Sequence, residues 1–228
     1  MTGLLFQDIP AGATISDIEP LASDPNIRRI KVDGKVAARL RAGDVAALDL
    51  AVGQAWTDTL ARAVKSALAT NKARKAALSI LGRRGYARAE LLERLVRKGH
   101  DRTSARLVAD EMVADGWIDE EEYARSIARG ILSRKPAGHR LLIQKMLTRR
   151  IEPELAERIA QEALRDVDLT EAAAALARRR LETMTGLPPA AVRRRLSGLL
   201  ARRGFDREVI QAAISGLEIV FDGDPPVD

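Results

Sequence analysis

Among its 228 residues the chain has no cysteine. That excludes disulfides, thiolate metal sites, iron–sulfur clusters and a cysteine nucleophile, and it suits a reducing, cytoplasmic setting. Histidine is nearly as scarce. His100 and His139 stand far apart and outside any H-E-x-x-H or comparable spacing, so no metal site is expected. The phosphate loop G-x-x-x-x-G-K-[ST], the dinucleotide turn G-x-G-x-x-G and the nucleophile elbow G-x-S-x-G are missing as well. With no converging carboxylates, metal cluster or activated nucleophile, the sequence predicts a protein that is not an enzyme, with no catalytic residues and no cofactor. No run of eighteen apolar residues occurs, and Met1–Pro10 lacks a basic region leading into an apolar stretch, so neither a membrane span nor a secretory signal is expected. Aromatic residues make up 3% of the chain, and none alternates with arginine as a base-stacking platform requires. Trp117, Tyr123 and Phe205, at helix junctions, read as core; His100 and His139 read as surface or packing residues.

What is present is a 46% apolar content, enough for a real core, and an excess of 38 Lys and Arg over 32 Asp and Glu, a net charge of +6. The excess invites a polyanionic partner. Residues 13–56 read as a small α/β module. Ile30–Val32 and Lys35–Leu40 flank Asp33-Gly34, and a three-residue loop, Val32-Asp33-Gly34 with Gly34 left-handed, would keep Ile30, Val32, Val36, Ala38 and Leu40 on one face. Thr14–Glu19 supplies a candidate third strand and Gly43–Leu50 a short helix.

From Thr57 onward the pattern is helical, and its punctuation recurs. Leu91-Leu92-x-x-Leu95 through Lys98-Gly99-His100-Asp101 aligns with Leu142-Ile143-x-x-Met146 through Arg149-Arg150-Ile151-Glu152. The same frame reaches Leu196 and Leu200 through Arg203-Gly204-Phe205-Asp206. Asp101, Glu152 and Asp206 fit helix N-caps or first-turn charges, with Pro153 at a first helical position, and Asp119 with Glu122 suggests a capping box. Gly99 and Gly204 fit the left-handed residue after a helix. Arg150 in that place would be strained by roughly 1 kcal/mol, so a modified turn is expected there. The fold class predicted is mainly α: tandem three-helix repeats in an elongated curved array, preceded by a small N-terminal β-hairpin-containing module. The expected organisation is a flexible N terminus (1–12), the hairpin module (13–56), a connecting helix (57–71), repeats at 72–118, 119–167 and 168–217, and an acidic disordered tail (218–228).

Charge alternates along these helices. Residues 59–89 and 123–151 each hold eight Lys and Arg with no acid, and residues 183–205 hold five with none. Residues 101–122 hold eight acids against two arginines, and 152–168 hold six against two. Pairs such as Arg83-Arg84, Arg97-Lys98, Arg149-Arg150 and Arg202-Arg203 fall at helix ends, where cations offset the dipole. Arg178-Arg179-Arg180 and Arg193-Arg194-Arg195 read as mid-helix and need another explanation. Arginine outnumbers lysine 30 to 8, which suits bidentate phosphate or carboxylate contacts.

Leu81-Gly-Arg-Arg-Gly-Tyr-Ala-Arg-Ala-Glu-Leu91, Trp117-Ile-Asp-Glu-Glu-Glu-Tyr-Ala124, Gly138-His-Arg-Leu-Leu-Ile-Gln-Lys-Met-Leu147, Ile151-Glu-Pro-Glu-Leu155 and Ile30-Lys-Val-Asp-Gly-Lys-Val36 together resemble the RecX regulators of RecA recombinase. The resemblance covers about residues 13–217 and is strongest over 78–160. Ala87, where the family often has a hydroxyl cap, and Arg150, in place of the usual turn glycine, depart from it. The resemblance implies a non-enzymatic, cytoplasmic regulator that binds the RecA–DNA filament and limits its growth, ATP hydrolysis, strand exchange and coprotease activity. Single- or double-stranded DNA, through phosphate contacts, is a further partner to consider, with no membrane and a monomeric state. Charge and helix position, not a family motif, select the candidate contacts: Arg83, Arg84 and Arg88; Arg140, Lys145 and Arg149; Arg193, Arg194, Arg202 and Arg203. Each has the alternative reading of a solvated or dipole-compensating side chain. The competing function is a sequence-nonspecific nucleic-acid-binding helical repeat protein acting without RecA.

Overall fold

The computed structural model describes Ile9 and residues 12–217. Residues 1–8, 10–11 and 218–228 lie outside the described residues, and with them most of the expected flexible N terminus and the whole expected acidic tail. The chain divides into two compact units, one of Met1–Arg84 with Leu91–Trp117, the other of Gly85–Glu90 with Ile118–Asp228.

The first unit opens with β1 (Ile15–Leu21), β2 (Asp24–Val32) and β3 (Lys35–Arg41), an antiparallel sheet in the order β1-β2-β3, followed by α1 (Ala42–Ala47). The β2–β3 hairpin corrects the expected loop. Val32 pairs with Lys35, so the loop is the two residues Asp33 and Gly34, both left-handed at φ 45° and 74°. The parity mismatch is resolved further along, because Lys31 pairs with Val36 but Ile30 with Ala38, leaving Ala37 as a bulge. Val36 therefore shares the face of Lys31, and Ala37 joins Ile30, Val32, Ala38 and Leu40 in the core with Ile15, Leu50, Trp56 and Val64. On β1 and β2, Glu19 accepts from Lys31 at 2.6 Å and Arg29 at 2.5 Å. These bonds hold the Glu19 carboxyl down at about 2, Lys31 contributing most and Arg29 next.

One unbroken helix, α2 (Asp58–Leu81), crosses residue 72. Its first turn is closed by Thr57, whose hydroxyl accepts from the Leu60 N–H at 3.2 Å. Its small buried residues Ala73 and Ala77 lie on the core side, as do Ala105 and Ala109 of α4 (Arg102–Ala114), which packs against it. Thr70 meets the buried Ser104 at 3.3 Å, and Arg74 pairs with Glu111.

The second unit contains α5 (Glu120–Leu132), α6 (His139–Leu147) and α7 (Pro153–Leu164), then α8 (Leu169–Leu181), α9 (Pro189–Arg202) and α10 (Arg207–Ser215). The first trio buries Ala128, Leu142, Met146, Ile151 and Ile159 in one cluster. The second buries Ala177, Val192, Leu196, Leu200 and Phe205 in another, and Leu169 packs against both. In α9 the fully buried Leu196 and Leu200 stand four apart, so a single stripe carries the packing and the rest of the circumference is free for charge.

The recurring punctuation is a recurring hydrogen-bond motif. After α3 (Arg88–Arg97), α6 and α9, the residue in the left-handed region is Gly99 (φ 86°), Arg150 (φ 62°) and Gly204 (φ 80°). The next N–H, of His100, Ile151 or Phe205, donates to Leu95, Met146 or Leu200 at 3.2 Å in each case. Arg150 thus adopts the ordinary turn at a strained position, and the expected modified turn is not formed. Asp101 and Asp119 cap α4 and α5 by accepting from Ser104 and Glu122 N–H groups at 2.8 and 2.9 Å. Glu152 and Asp206 occupy N-cap positions without a side-chain cap bond.

Two further expectations are corrected. Trp117 is 58% exposed: the chain turns at the left-handed Gly116, and Ile118 takes the buried place instead. Tyr123 is half-buried, its hydroxyl donating to Glu90 at 3.3 Å, and Phe205 is buried. Arg178, Arg179 and Arg180 are not mid-helix. They form the last turn of α8, which stops at Leu181 ahead of the turn at Gly186.

Candidate functional site

The arginines fall into two electrostatic classes. Those of α5 and α7 are neutralised at home. Arg125 pairs with Glu121 of its own helix and Glu162 of α7, Arg158 reaches Glu121 at 2.7 Å, and Arg129 reaches Glu122 at 2.7 Å. Arg158, then Arg125, lowers the Glu121 carboxyl. In α8, Arg178 reaches back to Glu171 at 2.8 Å, which lowers that carboxyl in turn. A stretch free of acids in sequence is therefore not free of acids in space.

The candidate contacts divide along the same line. Arg83 lies exposed past the end of α2, while Arg84 and Arg88 are half-buried and engaged in interactions of their own. Arg140 pairs with Asp206 at 2.8 Å, and Arg149 lies 3.5 Å from Glu90. Lys145 is exposed on α6. Arg193, Arg194 and Arg202 are exposed on α9 and form no ion pair with a described residue.

Arg203 has a different occupation. Its Nε donates to the Pro136 carbonyl at 2.8 Å and its Nη2 to the Lys135 carbonyl at 2.6 Å, and burial lowers its pKa. It belongs to a joint in which the turn after α9 seats the N terminus of α6. The Gly138 N–H donates to the Arg203 carbonyl at 3.0 Å and the Arg140 N–H to the Gly204 carbonyl at 3.3 Å, so two donors free at a helix start find acceptors. A Cβ on Gly138 would overlap the Gly204 carbonyl, and one on Gly204 would overlap the Leu141 backbone.

Around α9 the structure gathers Arg180, Arg195 and Arg207 beside the candidate contacts. Arg180 from the end of α8 faces Arg194, Arg195 and Arg202 across a groove of about 410 Å³. On the other side Arg193 and Arg194 face Arg207 of α10 across one of about 430 Å³. The signal for Arg180 and Arg195 lay in the two triple-arginine runs, but it needed the pairing of α8 with α9 to become a site.

Among the described residues a small antiparallel sheet comes first, then nine longer helices, and the turns after α3, α6 and α9 share the same hydrogen bonds: this is a mainly α protein built on three-helix units. Residues 166–214, spanning α8–α10, match the family model described as RecX, third three-helix domain. The chain is 31% identical over 147 residues to the Regulatory protein RecX of Chlorobium limicola, covering 64% of this chain and 90% of that one. It is 31% identical over 153 residues to the Regulatory protein RecX of Halorhodospira halophila, covering 66% and 91%. A solved structure described as the crystal structure of regulatory protein RecX superposes with a TM-score of 0.73 at 20% identity, over 87% of this chain and 97% of that one. The chain belongs to the RecX family. Among the described residues no helix is long and apolar enough to cross a membrane.

Proposed function

We propose that this protein is a negative regulator of RecA recombinase that binds the RecA–DNA filament and limits its growth, ATP hydrolysis, strand exchange and coprotease activity. Family membership supports the regulatory role, since the relatives are named regulatory proteins. The observation that supports the mode of action is the set of exposed arginines on α9 with no carboxylate partner among the described residues, a surface that attracts a polyanionic assembly. In this reading the three-helix units at 72–118, 119–167 and 168–217 act as a scaffold, and the protein works as a cytoplasmic monomer. Arg83, Lys145, Arg193, Arg194 and Arg202 are its contacts. Arg203 and Arg140 support them by fixing the joint between α6 and α9.

The test is the ATP-hydrolysis rate of the cognate RecA on single-stranded DNA with this protein titrated below one molecule per RecA protomer. A substoichiometric fall in rate is expected. An unchanged rate at saturating protein overturns the reading. The second reading, nucleic-acid binding without RecA, draws on the same acid-free surface and would then replace it if bare DNA is bound.

A further inference from the structure

Three arginines in succession on α9 point in three directions, and each direction meets more arginine. Arg195, with Arg194 and Arg202, faces Arg180 over a shallow floor that includes Met184 and Leu199. Arg193, with Arg194, faces Arg207. Six guanidiniums thus form a collar around one helix, with Arg194 common to both grooves and no carboxylate of the described residues lining either. None of the six pairs with a described acid; Arg180 has a bond to the Thr183 hydroxyl at 3.1 Å. Glu182 and Glu208 adjoin the collar in sequence but line neither groove.

Such a cluster repels itself in the free protein, because four like charges line the first groove and three the second with no described carboxylate among them. The same chain pairs Arg125, Arg129, Arg158 and Arg178 with glutamates, so what sets the collar apart is the concentration of six such side chains along two adjoining grooves. Its ligand has to bring several anionic groups in a row. A protein partner would be expected to seat an aromatic or large apolar anchor in a pocket, and these grooves present guanidiniums with a small aliphatic floor. Neither groove is lined by an aromatic ring for stacking, and the one amide, Gln211 of the α9–α10 groove, stands among three guanidiniums. Bidentate guanidinium contacts to phosphate oxygens fit what is there.

We propose that the arginine collar of α9 binds the phosphodiester backbone of a nucleic-acid strand, running from the α8–α9 groove across Arg194 into the α9–α10 groove, without stacking on the bases. This deepens the regulatory reading by placing one contact of the protein on the strand itself, and it rests on that reading only for which nucleic acid is met in the cell.

The test needs no RecA. The full chain is titrated against a fluorescent oligothymidylate across a range of salt, beside Arg180→Gln/Arg194→Gln/Arg195→Gln and Arg193→Gln/Arg207→Gln. A comparator, Arg129→Gln/Arg178→Gln, removes two exposed but paired arginines. The triple variant is expected to lose at least about tenfold in affinity at low salt and to flatten the log–log salt slope by about 2, at about 0.7 per lost single-strand phosphate contact. The double variant flattens it by about 1.4 on the same scale, and the comparator leaves it in place. A thermal melt confirms that each variant is folded. Failure of the wild type to bind, an equal salt slope in wild type and triple variant, or displacement of the strand by polyglutamate at lower charge concentration than by unlabelled strand overturns the proposal. If RecA hydrolysis is still suppressed when the strand is not bound, the collar fails and the regulatory reading stands; strand binding with RecA hydrolysis unaffected gives the reverse.

Discussion

Arg150 holds a backbone conformation that Gly99 and Gly204 hold in the equivalent turns, with the same pair of hydrogen bonds around it. The bonds and the burial of Ile151 outweigh the clash of its Cβ, which costs about 1 kcal/mol. Arg150→Gly is therefore expected to raise stability by up to about 1 kcal/mol, a shift of about 2–4 °C in Tm for a chain of this size. A calorimetric melt checks it, and a lower Tm would mean that the side chain's own contacts outweigh the strain. Glu19 is a residue whose contribution depends on pH. Its carboxyl titrates at about 2 in the fold against 4.5 when free, through its bonds from Lys31 and Arg29. The sign follows from the depressed value: the contribution is complete above about pH 4.5 and is lost as pH falls towards 2. Melting the wild type and Glu19→Gln between those limits should show the wild-type advantage shrinking as acid is added. A constant difference would remove the cluster from the acid sensitivity of the sheet.

At the scale of elements, the joint between α6 and the turn after α9 is the tightest backbone approach in the second unit's glycines. A methyl group on Gly138 meets a carbonyl, not the end of a flexible side chain, so neither partner yields without opening the seat of α6. Gly138→Ala is expected to destabilise by about 3 kcal/mol, at the upper end of overpacking effects. Arg203→Ala should cost about 2 kcal/mol by leaving two carbonyls short of a charged donor. Urea unfolding of both variants measures this, and near-wild-type midpoints would show that the joint relaxes freely. Such a joint was invisible in the sequence, because it links residues more than sixty positions apart and Arg203 looks like any cation at a helix end. The helices and their turns were legible, since they depend on local periodicity and capping. The hairpin was legible in place but not in register: Asp33-Gly34 signals a two-residue turn, and the bulge at Ala37 that reconciles it with the core leaves no mark among small residues. Trp117 departs from its expected core place for a related reason. A large side chain near a junction suggests burial, yet the left-handed Gly116 decides which of two neighbours faces in.

Across the whole molecule a net charge of +6 says little, because many arginines are paired with carboxylates where they stand, while six with no acid partner among the described residues line the two grooves beside α9. Pairing across α5 and α7 has a consequence for how ions act on the protein. Sulfate, a compact divalent anion, should fill the grooves beside α9 and relieve repulsion there, whereas around Glu121 and Glu162 the arginines already have partners. General exclusion of sulfate from protein surfaces strengthens burial everywhere, so the informative quantity is the difference between trios. At matched ionic strength, replacing chloride with sulfate at about ten times its Kd is expected to slow amide exchange in α8–α10 about tenfold more than in α5–α7. The collar variant carrying Arg180→Gln, Arg194→Gln and Arg195→Gln should lose that difference while keeping the general effect. An equal slowing in both trios of the wild type would mean that the arginines of α9 hold no anion together, and that their gathering around one helix has no more effect than the same charges dispersed.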